Sequence, residues 1–455
     1  MTRRLLSGWG RAAPSAATVV RAAGRAHVEQ VVESAAASGA RLLARGLGRS
    51  YGDAAQCAGG TVLDCTALDG IELDPASGIV RAGAGTSIAS LLARCLPYGW
   101  CVDVMPGTAQ VTVAGAVAAD VHGKNHHVDG AFSQSLRGIE LVGADGTHRV
   151  GPGAAERPEL YWATVGGMGL TGVVTEVTLQ LRRVETSFVD VETERAGDLD
   201  ACMSLLLVHA TRHRHSVAWV DGLARGRAFG RSVVTGGDHA SADALPQHRR
   251  RAPLAYAPRQ LLGVPATPPV GLVRRSVVLP FNALWYAKAP RRREGEIQSL
   301  TEFFHPLDAV AGWNRLYGPA GFTQYQLVTP FSRPDVVGRA LELLQRAGLL
   351  ASLVVLKTFG SSDDAPLGFP TAGWTLAVDL PLGAPGLAAA LDELDELVAT
   401  AGGRVYLAKD GRLRPDLLET MYPRLGEWVA VRDAADPAGV FCSDLWRRIA
   451  PPARR

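Results

Sequence analysis

Ala44-Arg45-Gly46-Leu47-Gly48-Arg49-Ser50-Tyr51-Gly52-Asp53 is followed further along the chain by Pro106-Gly107-Thr108 and by Val111-Thr112-Val113-Ala114-Gly115-Ala116-Val117-Ala118-Ala119-Asp120. Glycines and small residues let backbone N–H groups converge on an anion without side chains in the way, and a dinucleotide pyrophosphate needs such a nest. The first run follows Ala40-Arg41-Leu42-Leu43, which reads as a short strand, and before it an amphipathic helix over 26–37 that Gly39 ends. The second run has almost no bulk, so a flat ring can lie against it. It leads through Val121 into His122-Gly123-Lys124-Asn125-His126-His127. Either run alone would pass for a structural turn. Their order and spacing together read as a flavin site.

A third glycine run reads differently. Gly167-Met168-Gly169-Leu170-Thr171-Gly172 has the G-x-G-x-x-G spacing of a nicotinamide-dinucleotide fingerprint, but that fingerprint requires a strand before it and a helix after it. Val173 to Leu181 is β-branched and alternating, and so reads as a strand. NAD is therefore not expected here. Three histidines within six residues hint at a metal, yet no carboxylate or cysteine stands at ligand spacing, so no metal is expected and His126 and His127 read as structural.

With 455 residues the chain is too long for one core, and two domains are expected. No apolar run of about 18 residues occurs, and the segment Thr2-Arg3-Arg4-Leu5-Leu6-Ser7-Gly8-Trp9 has arginines with no apolar stretch behind them. Neither a cleaved signal peptide nor a membrane span is expected, and the location reads as cytoplasmic or peripheral on a membrane. The six cysteines form no C-x-x-C pair and read as small core residues in a reducing compartment. Between Arg249 and Arg293 stand nine arginines and Lys288 with no acidic residue, interleaved with Leu254, Tyr256, Leu261, Leu262, Leu272, Phe281 and Trp285. Five prolines from Pro253 to Pro269 argue against a regular helix in its first part. Such a segment suits anionic lipid headgroups, or is a solvated insertion. No nucleic-acid-binding module is present, and no nucleic acid partner is expected.

The first third alternates short strands (61–65, 78–82) with helices, one of them capped by Thr86 and burying Ile88, Leu91, Leu92 and Cys95. After Arg183 the texture changes. Strands over 216–220, 322–328, 352–358 and 373–380 alternate with helices over 335–346 and 387–401, which predicts a sheet with helices on one face, capping the flavin. The class is α+β. The division is residues 1–186, which carry the flavin-binding runs, 187–403 for an α/β substrate cap with the basic insertion 249–293, and 404–455.

The two glycine runs, with Leu6-Ser7-Gly8-Trp9-Gly10-Arg11 ahead of them and Phe441-Cys442-Ser443-Asp444-Leu445 at the far end, resemble the FAD-linked oxidases of the vanillyl-alcohol oxidase and p-cresol methylhydroxylase superfamily. The resemblance covers nearly the whole chain and is strongest to the decaprenylphosphoryl-β-D-ribose oxidase family. It implies a discontinuous FAD-binding domain, with 1–186 its first part and 404–455 the return, and FAD held by Ala44 to Asp53, Gly107, Thr108, Thr112 to Gly115, Ala119 to His122, Val174 and Tyr406. It implies Lys409, in Tyr406-Leu407-Ala408-Lys409-Asp410, as the essential lysine and His122 beside the ring. Lys124, Trp219, Gln324, Gln326, Val355, Lys357, Thr375 and Ala377 match its substrate pocket; packing alone would also account for Trp219, and a surface pair with Asp410 for Lys409.

The implied reaction is oxidation of the 2-hydroxyl of a polyprenylphosphoryl-β-D-ribose to a keto sugar, the first half of an epimerisation for cell-wall arabinan. A separate NAD(P)H-dependent reductase would complete it. Such chemistry needs the carbinol carbon facing flavin N5 and a group to accept the hydroxyl proton, and Lys409 is a base only if burial or neighbouring cations lower its pKa. The chain departs from the family at three positions. Arg49 stands where covalent relatives carry a histidine, so the FAD is expected to be non-covalent. Thr375 and Ala377 stand where the family usually has asparagine and cysteine. Without the thiol no adduct with nitroaromatic inhibitors is expected, and the shorter Thr375 leaves other sugars open. The rivals are a soluble polyol or aldonolactone oxidase, a paralogue acting on a nucleotide or antibiotic sugar, and a binding protein that keeps FAD as a structural element.

Overall fold

Period-two alternation builds the largest layer. Val354 and Leu356 of the Leu353–Phe359 strand, Leu376, Val378 and Leu380 of Gly373–Pro381, and Tyr325 and Leu327 of Phe322–Pro330 are all buried on one face. They share a core with Leu206, Val337, Leu341, Leu391 and Leu394 from the helices Leu199–Arg212, Asp335–Arg346 and Leu387–Thr400. Each such side chain contributes about 1.5–3 kcal/mol relative to exposure. The residues between them, Gln324, Gln326, Val355, Lys357, Thr375, Ala377 and Asp379, point to the opposite face. The structure is a computed structural model that describes residues 2–153, 156–258, 260–361 and 363–450. Arg259, one of the nine arginines of the insertion, lies outside the described residues.

This sheet has eight strands in the order Arg292–Ser299, Phe188–Ala196, Ser232–His239, His215–Val220, Leu353–Phe359, Gly373–Pro381, Phe322–Pro330, Arg404–Val405, and every neighbouring pair is antiparallel. Two smaller sheets precede it. One runs Thr2–Leu6, Ser15–Arg21, Thr61–Asp64, Leu42–Arg45, its last three strands parallel and the helix Arg25–Ser38 crossing between them. The other runs Ile71–Leu73, Ile79–Gly83, Val173–Gln180, Leu136–Gly143, Gly146–Val150. The chain end returns to the first sheet, where Leu42 N–H donates to Val440 O and Cys442 N–H to Leu42 O.

Several local expectations shift. The strand read over 40–43 is Leu42–Arg45, so the first glycine run begins inside it. Ser87, not Thr86, caps the helix Ile88–Cys95: its hydroxyl accepts from Ser90 N–H, whereas Thr86 is buried and its hydroxyl donates to Gly70 O. The low-bulk run is a short helix, Val113–Ala118, capped by Thr112. The insertion carries a helix after its proline-rich part, Arg275–Lys288 with Pro280 inside, which exposes Val277, Leu279, Phe281, Leu284 and Trp285. The run 167–172 lies between a helix, Pro158–Thr164, and the strand Val173–Gln180, the reverse of the dinucleotide fingerprint. Among the described residues no helix is long and apolar enough to cross a membrane, and all six cysteines are buried thiols.

Candidate active site

Close approach explains the glycines. A Cβ on Gly46 would lie 2.3 Å from Thr112 Oγ1, so the first glycine run touches the cap residue of the second. Gly48 has φ +63°, a left-handed conformation that favours glycine. Gly52 packs against the chain's return: a Cβ there would lie 1.8 Å from Asp410 O. The N–H groups of Leu47, Gly48, Arg49 and Ser50 have no partner among the described residues. These segments form one wall of a cavity of ≈ 340 Å³, and the polar face of the eight-stranded sheet forms the other.

Of the residues read as flavin contacts, Ala44 to Tyr51, Gly107, Thr108, Thr112, Ala114, Gly115, Ala119, Val121, His122, Val174 and Tyr406 line this cavity. Gly52, Asp53, Val113 and Asp120 stand behind it. Asp53 pairs with Arg448 at 2.9 Å, and Val113 is fully buried in the short helix. Asp120 is buried with φ +37° and accepts from Ser133 N–H; burial, and then Asp363, push its pKa up. The glycine cradle and its unpartnered N–H groups fit an anionic dinucleotide. Tyr406 adds a flat wall, its ring stacked on Phe369 at 4.5 Å and its hydroxyl donating to Ala119 O at 2.7 Å.

Of the residues read as substrate contacts, Gln324, Gln326, Val355, Lys357, Ala377 and Lys409 line the same cavity. Sheet register brings them together: Val355 pairs with Ala377, and Ala377 with Gln326. Trp219 pairs with Val355 on the next strand, beyond the cavity lining. Thr375 lies behind Gln326, accepting from its Nε2 at 3.0 Å and donating to Leu327 O. Lys124 turns away, donating to Phe303 O with its Nζ 4.1 Å from the Phe303 ring centroid; burial pushes its pKa down to about 7. Trp9, Met168, Leu307, Trp313, Leu353 and Ala408 line the cavity as well and were not read as contacts. Leu353 alternates with Val355, a signal the sequence did contain.

The polar groups form two chains. Gln326 Nε2 is 3.0 Å from His122 Nε2, and Lys357 Nζ is 3.0 Å from His122 Nδ1. The two contacts occupy both ring nitrogens of His122, and Lys357 Nζ also donates to Gly123 O at 3.2 Å. Burial pushes the Lys357 pKa well down, helped by Lys409 and Lys124, and holds His122 well below its ordinary value, helped by Lys357 and Lys409. In the second chain Lys409 donates to Gln324 Oε1, and Gln324 Nε2 to Asp379. Lys409 is half-buried on the cavity wall, and Asp410 is engaged by Arg448 at 2.8 Å, so the surface pair does not form. Burial pushes the Lys409 amine down to about 8 against the opposing pull of Asp379.

Residues 16–151 match the FAD binding domain family, and residues 385–449 match D-arabinono-1,4-lactone oxidase. The chain is 40% identical to a decaprenylphosphoryl-beta-D-ribose oxidase of Mycolicibacterium smegmatis, covering 98% of each chain. It is 23% identical to an L-gulono-1,4-lactone dehydrogenase of Mycobacterium tuberculosis, covering 97% of each. Among solved structures, 6-hydroxy-D-nicotine oxidase from Arthrobacter nicotinovorans superposes with a TM-score of 0.62 at 20% identity, covering 93% of this chain and 90% of that one. The last likeness concerns the fold. The glycine cradle, the matched FAD domain and the full-length likeness converge: this chain is an FAD-dependent oxidoreductase and belongs to the decaprenylphosphoryl-β-D-ribose oxidase family.

Proposed function

We propose that this protein oxidises the 2-hydroxyl of a polyprenylphosphoryl-β-D-ribose to the 2-keto sugar, with FAD bound non-covalently by residues 1–186 and 404–455 and the sugar held by the cap, 187–403. When bound, FAD supplies the acceptor for the hydride from the carbinol carbon. Lys409 accepts the hydroxyl proton as a neutral amine, a role suited to a group whose pKa burial has brought down to about 8. His122, held neutral, and Gln326 orient the sugar. Arg49, whose Cζ lies 3.9 Å from the Trp9 ring centroid and whose Nε has no partner among the described residues, is a cation suited to the substrate phosphate.

The observation that carries this reading is the join between cavity and insertion. Leu307 and Trp313 of the cavity wall belong to a segment bonded to the basic insertion: Leu261 N–H donates to Ala309 O, Val264 N–H to Ala311 O and Leu272 N–H to Leu316 O. Leu261 and Leu262 are 71% and 69% exposed, an apolar surface beside a charged site, as a lipid-linked sugar requires. Leu261 and Leu262, and Phe281 and Trp285 of the insertion helix, are exposed apolar groups in an arginine-rich segment, which suits peripheral contact with an anionic membrane. A reductase acting on the keto product completes the epimerisation. The match of residues 385–449 to a lactone oxidase keeps a soluble aldonolactone oxidase as the second reading.

Anaerobic mixing with farnesylphosphoryl-β-D-ribose tests both. Rapid bleaching of the flavin band is expected, slowed about 10²–10⁴-fold in Lys409→Ala with flavin still bound. Reduction by free polyols or aldonolactones but not by the phospholipid sugar would overturn the first reading in favour of the second.

A further inference from the structure

Asp379 is fully buried in the Gly373–Pro381 strand, opposite Gln324 on one neighbouring strand and Leu353 on the other. A carboxylate out of water is costly unless paired with a cation. Yet among the described residues no Lys, Arg or His contacts Asp379 directly. Its partners are neutral: Gln324 Nε2 donates to Oδ1, and the Tyr317 hydroxyl donates to Oδ2 at 3.4 Å. Ser352 steadies the arrangement, its Oγ lying 2.8 Å from the Tyr317 hydroxyl and donating to Asp379 O at 3.1 Å. The other end of the Gln324 amide accepts from Lys409 Nζ. Each donor in this chain faces away from Lys409 and toward Asp379, so the carboxylate polarises the amide and strengthens the hold of Oε1 on the lysine.

We propose that Asp379 is a positioning residue that acts on Lys409 through the Gln324 amide, directing the amine into the cavity and setting its charge state; this rests on Lys409 serving as the base. The other titratable groups facing the pair do not duplicate the role. Tyr51, whose ring centroid is 5.3 Å from Lys409 Nζ, and Tyr317 are phenols whose pKa burial pushes up, and both stay neutral. His122 is held neutral by burial, and Lys357, whose pKa burial pushes well down, disfavours the lysine cation to whatever extent it is charged. Arg49 faces Tyr51. Asp379 is therefore the group that favours the charged form of Lys409. Removing its charge makes the amine a base at lower pH but lets it swing.

The test is competitive acylation of the FAD-loaded protein across pH, with the labelling midpoint of Lys409 read by mass spectrometry. The parent midpoint is expected near 8. In Asp379→Asn it should fall by about one pH unit, and the acid limb of flavin reduction by farnesylphosphoryl-β-D-ribose should move the same way while the maximal rate drops. Gln324→Met keeps the carboxylate and removes the bridge, so it should move the midpoint in the same direction by less, and it serves if Asp379→Asn does not fold. A Lys409 midpoint unchanged in both variants, or in the one that folds, overturns the proposal, because a merely structural Asp379 would lower stability without moving it. The labelling needs no substrate. If the parent flavin is not bleached by the phospholipid sugar, the proposed substrate fails while the labelling still decides the relay.

Discussion

The two walls of the cavity are built on different principles. The flavin wall is backbone: Gly46 and Gly52 are small because another segment lies against them and Gly48 because its backbone is left-handed, and the N–H groups of Leu47 to Ser50 are donors close to one another in sequence. The cap wall is side chain: Gln324, Gln326, Lys357 and Ala377 come from three strands and meet through antiparallel register. A binding nest can thus be written into a short run of glycines, whereas a reacting surface needs several strands to agree on which face is polar. The two should also fail differently, the first by loss of fold and cofactor, the second by loss of rate.

The largest effect is expected on the backbone wall. A Cβ at Gly52 would meet the carbonyl oxygen and carbon of Asp410 at 1.8 and 2.6 Å, both backbone atoms that cannot step aside. Gly52→Ala should destabilise by about 3 kcal/mol and lower the flavin-to-protein absorbance ratio; a variant that keeps full flavin content and melting temperature would break the contrast.

Lys357→Met should leave flavin content intact and slow flavin reduction about tenfold, the equivalent of one lost hydrogen bond of about 1.4 kcal/mol. It removes the group 3.0 Å from His122 Nδ1 and relieves a repulsion that helps depress the His122 pKa. The histidine should therefore take up its proton at a higher pH than in the parent. Loss of the cofactor in this variant would show that the cap wall is structural too.

Ala377→Cys is the smallest change. Ala377 lines the cavity beside Gln326 and Val355, and the swap adds one sulfur to a wall with open space before it. Turnover should change less than about threefold. After turnover with a nitroaromatic inhibitor, intact mass should show an adduct in the variant and none in the parent; an adduct on the parent would mean that a thiol elsewhere reacts.

Much of the backbone wall was legible because the information is local. The glycine runs, the strand after the decoy run and the helices over 335–346 and 387–400 follow from residue type and period. Capping was read one residue early at Thr86, because nothing local says that its hydroxyl is taken by Gly70 O. The helix Val113–Ala118 was missed because a run of alanine, glycine and valine is equally compatible with a turn. On the cap wall the resemblance supplied the residues, but not which of them stand in front. Thr375 lies behind Gln326, Trp219 one strand too far out and Lys124 turned toward Phe303.

By itself, the sequence determined that two glycine-rich segments would be free of bulk in the way an anionic dinucleotide needs, that a strand-rich second half would present alternate residues to opposite faces, and that one lysine would stand in a motif near the far end of the chain. These depend on conformational freedom, period and spacing, which are properties of neighbouring residues. Only the tertiary structure decided that Gly46 meets Thr112, that Lys409 finds Gln324 and Gln324 finds Asp379 while Asp410 goes to Arg448, and that Lys357 and Gln326 take the two nitrogens of His122. Those pairings join residues far apart in the chain and depend on strand register. A shift of one residue would turn the whole polar row into the helix-packed core.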